Sequence, residues 1–538
     1  MRSSFFGFNV AVTGLYTAQR NLDVINNNIS NVNTPGYSRQ QTVQQALRPM
    51  NLYDGTGMIG TGVEVTAVKR VRDEYLDTMY WSENVTFGEW DTKRTLLSEL
   101  EATFNEPSNS GFTQIMDEFF SSLQELSKDP SSEAVRALVK ERGVTLAKYF
   151  NDMATRFEEL QVDINDRIET TVERINSIGV QIQQLNKQIY TVELDGSTAN
   201  ELRDQRTLLI DELSKLINIE VNEVAVGKLP SGRDDVRMTI TISGKAFIDH
   251  FNLSKLALVQ RENKLNEEDV PNLFDIKWED GNSLKITGGV LRGYLDVRDG
   301  NSGLNGSPVY KGIPDYIRKL NQFVQTFAMA FNEGYIDLDN DGVIDPVKNP
   351  AEDGKGHVDG YGIGSAADLG IRFFTMLGTE NKSISSSDFI GGASDPAAIS
   401  ARYSNITAKN FAVSSDILDN INLIATSDTK DQVGNINNLR ELMKLRNNDQ
   451  MFVEGAPEDF MKSIATTLGV SSQQAVRISA NQEVIVKQVE NRRLSESGVS
   501  LDEEVANMVK HQQAYSAAAQ MINTMAEIYD ILINRVGV

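Results

Sequence analysis

The chain has 538 residues, no cysteine and three histidines, with 75 acidic against 52 basic residues for a formal charge of −23. That length implies several domains with sizeable cores, and the missing thiols exclude disulfides, thiol nucleophiles and cysteine-ligated metals. An acidic surface without a Lys/Arg run argues against a nucleic-acid partner, and no stretch reaches the ~20 apolar residues of a membrane span, so no membrane partner is expected.

The chain opens with apolar or small residues at Phe8, Ala11, Leu15, Ala18, Leu22, Ile25 and Ile29. Alternating steps of three and four are the seam of a coiled coil. The pattern runs on as an amphipathic helix instead of ending at a cleavage site, so no cleaved signal peptide is expected. Asparagines at 26, 27, 28, 31 and 33 weaken the helix, and Thr34-Pro35-Gly36-Tyr37 then predicts a type II turn, with Pro35 and Gly36 at its centre. Residues 62–71 alternate as a strand.

From about 74 to 218 the pattern is helical, and Ser132–Leu194 lacks proline, interrupted only by Gly143 and Gly179. A run that long predicts rods packed side by side. Residues 219–287 turn to short alternating strands, helices return at 288–299 and 308–334, and 335–429 is rich in Gly, Asp and Ser with short strands. From 431 onward the chain is helical, broken at 455–457 and 497–500. Its last segment carries a second seam: Leu501, Val505, Met508, Gln512, Tyr515, Ala519, Ile522, Ala526, Tyr529, Ile533 and Val536.

The expected fold is therefore mainly α with β-rich insertions, elongated and multi-domain. Residues 1–40 and 501–538 form a terminal coiled-coil domain in which the two ends pair. Residues 41–218, 288–334 and 430–500 form a helical core, 219–287 a β-rich segment and 335–429 a β-rich outer domain. Each seam packing on its own neighbouring domain is the alternative.

Two motifs suggest ligands. Gly55-Thr56-Gly57-Met58-Ile59-Gly60 spells a dinucleotide fingerprint, but it precedes a strand instead of opening a helix, which argues against nucleotide binding. Asp337, Asp339 and Asp341, with Gly342, the Val343 carbonyl and Asp345, match the spacing of an EF-hand-type calcium loop. Lys348 stands where a bidentate Glu belongs, so the choice is between a structural calcium site and a solvated acidic loop. No zinc-protease, nucleophile-elbow or P-loop pattern occurs. No catalytic residue is assigned, no cofactor is required, and an enzyme is not expected.

The two ends together resemble the axial proteins of the bacterial flagellum. The string Asn28-Ile29-Ser30-Asn31-Val32-Asn33-Thr34-Pro35-Gly36-Tyr37 is similar to their Asn-rich turn, with Ser30 where Ala is usual. The continuation Ser38-Arg39-Gln40, the GGVLRGYLDVRD of 288–299, the Asn332–Leu338 string and Gln512-Gln513-Ala514-Tyr515 are similar to the hook-associated protein 1 family in particular. That resemblance implies a non-enzymatic adaptor between hook and filament, homo-oligomeric in an extracellular tube. It also implies export through the flagellum's own channel, with hook protein beneath, a second hook-associated protein on the filament side and an export chaperone on the C-terminal region. Leu15, Leu22, Ile25, Ile29, Tyr515, Ile522, Tyr529 and Ile533 would carry subunit packing, with Pro35 and Gly36 fixing the exit from the first helix. A hook or rod protein, or a calcium-binding extracellular adhesin built on 335–430, are the competing functions.

Overall fold

The structure is a computed structural model that describes residues 6–52, 57–104, 111–334, 355–363, 370–394 and 396–534. Helix α1 (Phe6–Ser30) follows the first seam and ends in the asparagine run. Strands β1 (Gln40–Ala46), β2 (Met50–Leu52), β3 (Gly57–Ile59) and β4 (Val63–Arg70) follow, with β1 antiparallel to β4 and β2 to β3. This ribbon lies along α1: Asn21 accepts from the side chains of Thr42 and Gln44, and Thr13 sits where Gly62 would carry a Cβ. Residues 41–70 thus pack with the first helix, where the sequence had grouped them with the helical core. A strand pair with only one polar face must cover something apolar, and α1 is the surface at hand.

The core is built on α2 (Glu74–Phe104), α3 (Phe112–Lys128), α4 (Glu133–Leu194) and α5 (Asn200–Leu216). At 62 residues α4 is about 93 Å long, the backbone on which everything else is hung. Ile164, Ile168, Val172, Ile175, Ile178, Ile182 and Ile189 are buried along one stripe at helical spacing. Gly143 and Gly179 do not interrupt it. A Cβ on Gly143 would lie 2.7 Å from the Phe373 ring, and one on Gly179 2.6 Å from that of Phe247. Each glycine is a docking point where an aromatic ring rides on helix backbone.

Six strands then form the inserted β segment. Antiparallel β5 (Glu220–Lys228), β6 (Asp234–Ile242), β7 (Lys245–Asp249) and β8 (Asn252–Leu253) make one sheet, and β9 (Leu256–Gln260) pairs with β10 (Phe274–Trp278). Amide side chains of α4 stitch this segment on: Asn176 exchanges two hydrogen bonds with the Leu256 backbone (2.8 and 2.9 Å), and Asn186 donates to the His250 carbonyl (2.9 Å).

Helices α6 (Val290–Asp299) and α7 (Ile313–Glu333) return to the core, where Phe323, Phe327 and Phe331 are fully buried. Within 355–429 the described strands are only β11 (Phe374–Met376) and β12 (Phe411–Val413), beside the short helices α8 (Ser386–Ile390), α9 (Pro396–Tyr403) and α10 (Ser415–Asp419). What is described there is not a β domain with its own core. Phe373, Phe374 and Phe411 instead complete the aromatic core of Phe119, Phe150, Phe327 and Phe331. The Gly-, Asp- and Ser-rich text signalled turns correctly, but its few aromatic residues had a larger apolar surface to join. Arg136, fully buried, pins the segment by donating to the Ile424 carbonyl at 2.8 Å.

Helix α11 (Asn437–Lys444) leads to α12 (Pro457–Ser497), which runs antiparallel along α2, with Ser472 on Glu101 and Arg493 over the Tyr80 ring. Helix α13 (Leu501–Asn534) then packs antiparallel against α1. Among the described residues no helix is long and apolar enough to cross a membrane.

Candidate assembly site at the elbow of the terminal helices

The α1–α13 pair is held at both ends. Asn28 meets Glu504 near the core, while the Phe8 and Tyr529 rings approach edge to face with centroids 6.5 Å apart at the far end. Ile25 is buried on this seam with Ala11 and Ala18, and Leu15, Leu22 and Ile29 are half-buried. On α13, Met508, Ile522 and Tyr529 are half-buried. Tyr515 remains 37% exposed, and Ile533, 66% exposed, lies past the described start of α1.

The sequence-based seam of α13 is rotated relative to the observed one. The structure turns Glu504 and Met525 toward α1 and half-buries His511, and leaves Val505, Gln512 and Ala526 exposed, with Ala518 and Ala519 both half-buried between the two ends. The physical reason lies at the elbow, where α1 gives way to the turn.

Tyr37 N–H donates to the Thr34 carbonyl at 3.2 Å, and Gly36 has φ 75°, so Thr34–Tyr37 is the type II turn its sequence predicts. Pro35 and Gly36 are exposed at its apex. The turn brings Tyr37 and Gln40 back onto Asn28, whose side chain makes four hydrogen bonds. Its Nδ2 donates to the Gln40 carbonyl (2.9 Å) and to Glu504 Oε2 (3.0 Å), and its Oδ1 accepts from Tyr37 Oη (2.9 Å) and Gln40 N–H (2.9 Å). An amide offers two donors and two acceptor sites, and here all are used. Burial, reinforced by the charges of Glu201, Asp204 and Glu504, raises the Tyr37 phenol well above its ordinary value, so it stays protonated as a donor.

Around this hub a chain of ion pairs ties the terminal helices to the core. Arg39 Nε reaches Glu504 Oε1 at 2.9 Å, and its backbone N–H donates to the Ser497 carbonyl at 2.8 Å. Asp204 of α5 accepts from Ser38 N–H (2.9 Å) and Oγ (2.7 Å) and from Arg70 (3.0 Å). Arg72 bridges Ser38 (3.0 Å) and Asp77 (2.6 Å), and Arg493 of α12 joins Asp77 (3.5 Å) to Asp211 (2.8 Å). Every member is at least partly buried, so each charge needs its partner. The network joins α1, the turn, the ribbon, α2, α5, α12 and α13 at one place.

Sequence reasoning singled out the turn, and Ser38 and Arg39 only as part of the string that carries the family resemblance, but not Arg70, Arg72, Asp204, Arg493 or Glu504. Isolated charges in helical text read as solvated faces, and only their convergence marks them. The residues of the calcium-type loop, Asp337, Asp339, Asp341, Val343 and Asp345, lie outside the described residues. Among the described residues no cluster of three His, Asp or Glu side chains could hold a metal ion. Two open grooves of about 990 and 910 Å3 flank the elbow, lined by mixed charges and by exposed side chains such as Tyr16, Leu208 and Leu494.

Known proteins match this architecture part by part. A family model of the flagellar hook-associated protein FlgK helical domain matches residues 97–340. A flagella basal body rod protein model matches 8–37, and one of the flagellar basal body rod FlgEFG protein C-terminal region matches 490–535, the two segments that meet at the elbow. Flagellar hook-associated protein 1 of Bacillus subtilis is 30% identical over 563 aligned residues, spanning 100% of this chain and 99% of that one. The protein of the same name from Escherichia coli is 26% identical, spanning 98% and 99%. In fold, the flagellar hook junction protein FlgK from Burkholderia pseudomallei superposes with a TM-score of 0.53 at 14% identity, covering 80% of this chain and 100% of that one.

Proposed function

The chain belongs to the family of flagellar hook-associated protein 1, and from that premise we propose that it is the adaptor subunit joining hook to filament in the bacterial flagellum. The role is structural, and its neighbours are other axial components of the flagellum. The observation that carries the reading is the elbow. Both chain ends fold onto each other as one antiparallel pair, and a buried polar network fastens that pair to a long helical core. Such a subunit offers the helix faces left open by the pair to copies of itself and holds them at a set angle to the core.

The specific neighbours follow from the position of an adaptor: hook protein on one side, a second hook-associated protein and the filament on the other. Passage through the flagellum's own channel delivers the chain, with an export chaperone on its C-terminal region. Electron microscopy of cells lacking the gene, with an assay of flagellin in the medium, tests this. Bare hooks with flagellin shed into the medium are expected; normal filaments would overturn the reading.

A further inference from the structure

Helix α13 carries two stripes that compete for the seam with α1. They share Met508, Tyr515, Ile522 and Tyr529, and differ between them: Glu504, His511, Ala518 and Met525 on one, Val505, Gln512, Ala519 and Ala526 on the other. Successive helical residues are ~100° apart, so exchanging the stripes is a rotation of α13 by about 50°. At the far end Met525 favours the first stripe over Ala526. Near the elbow apolar burial favours the second, which would cover Val505 in place of a carboxylate. The structure nevertheless buries Glu504 to 2% exposure and leaves Leu501, Val505 and Val509 at 47, 50 and 51%.

We propose that Glu504 is a positioning residue that selects the rotation of α13 and so keeps the Leu501–Val505–Val509 flank turned outward for a second copy of the chain. Its two oxygens are held separately, Oε1 by Arg39 Nε at 2.9 Å and Oε2 by Asn28 Nδ2 at 3.0 Å. Neither donor is free to follow a rotated helix. Arg39 is clamped through its own backbone, with N–H on the Ser497 carbonyl and its carbonyl accepting from Val71. Asn28 spends its remaining three bonds on Tyr37 and Gln40. A polar residue in an apolar seam costs stability but specifies how the helices meet, the best-attested use of a buried charge. The second half of the proposal, the outward flank, rests on the assembly reading above.

A covalent lock tests it, because the chain has no cysteine of its own. A side chain at Gly7 points at the Met525 methyl, 2.8 Å from an added Cβ, whereas Ala526 faces about 100° away. In the otherwise native chain G7C/M525C is expected to be coupled by a short bismaleimide, which spans the length of the lost Met525 side chain, and G7C/A526C is not. Added as purified chains to hooks isolated from cells lacking the native gene, Glu504→Ala is expected to incorporate about ten-fold less than the parent, and Glu504→Gln, which keeps an acceptor, to lose much less. Adding the coupled G7C/M525C lock to E504A should restore incorporation, and G7C/A526C should not. Normal incorporation of E504A, or failure of the first lock to rescue a chain whose core melts as the parent does, would overturn the selector. Absence of the parent itself from hooks would instead sink the assembly reading, while the cross-linking preference would still report the rotation.

Discussion

Replacing Asn28 by Ala removes four hydrogen bonds at once. Three of them join neutral groups and contribute roughly 0.5–1.5 kcal/mol each, and the one to Glu504 roughly 1.5–3 kcal/mol. Water can reach part of the half-buried Tyr37, and Arg39 still holds Glu504, so the expected loss is about 3–5 kcal/mol. The loss is local, because no residue of the hub belongs to the stripe buried along α4. Amide hydrogen exchange reads this directly. Protection in 21–30 and 501–510 should fall about a hundred-fold or more, with each ~1.4 kcal/mol worth ten-fold, while protection along 160–190 stays as it was. Asn28→Asp keeps both acceptor bonds, loses both donors and sets a second carboxylate beside Glu504, so its loss should be at least as large. A change in Asn28→Ala below about 1 kcal/mol, or one spread evenly into α4, would refute the hub as the local tie.

Gly179→Ala gains roughly 1 kcal/mol of helix propensity but drives a Cβ to 2.6 Å from buried Phe247 and 2.9 Å from Leu253. Overpacking of that kind costs about 1–3 kcal/mol, so the variant should melt below the parent, whereas Gly469→Ala, with its nearest atom 3.5 Å away, should melt level or above. Equal shifts in thermal unfolding would sink this account. Burial, opposed by the Ile371 carbonyl bond and aided by Arg136, lowers the His357 pKa to about 4 from 6.5, and its Nε2 accepts from Ala425 N–H. The neutral ring is the folded form, so its contribution is complete above pH 6.5 and is lost progressively as pH falls toward 4, by up to about 3 kcal/mol. Urea midpoints measured between pH 7 and 4.5 should show this slope and His357→Gln should flatten it; an unchanged slope in the variant would count against it. For the loop at 337–345, calcium titration of the full chain should show one site that Asp339→Asn weakens at least about ten-fold; no heat of binding would leave those carboxylates as solvated charge.

Much of this protein was legible in its residues because the signals are periodic and local. Seams with steps of three and four, the proline-free run to Leu194 and the strand text of 219–287 each report backbone geometry a few residues at a time, and the Pro35-Gly36 turn is written in the φ angles those two residues favour. Periodicity also announced that both ends of the chain carry a seam. It could not say which flank of α13 would face α1, because two stripes about 50° apart score nearly alike, and the decision falls to Arg39 and Asn28, hundreds of residues away in sequence. Gly143 and Gly179 read as interruptions since propensity sees only the missing side chain. Tertiary packing put rings from remote segments into the gaps those glycines leave. The aromatic residues of 373–411 and the ion pairs of the elbow belong to the same class. A buried charge or an inserted ring is stable only when its partner arrives from elsewhere in the chain, and that meeting is a property of the folded whole.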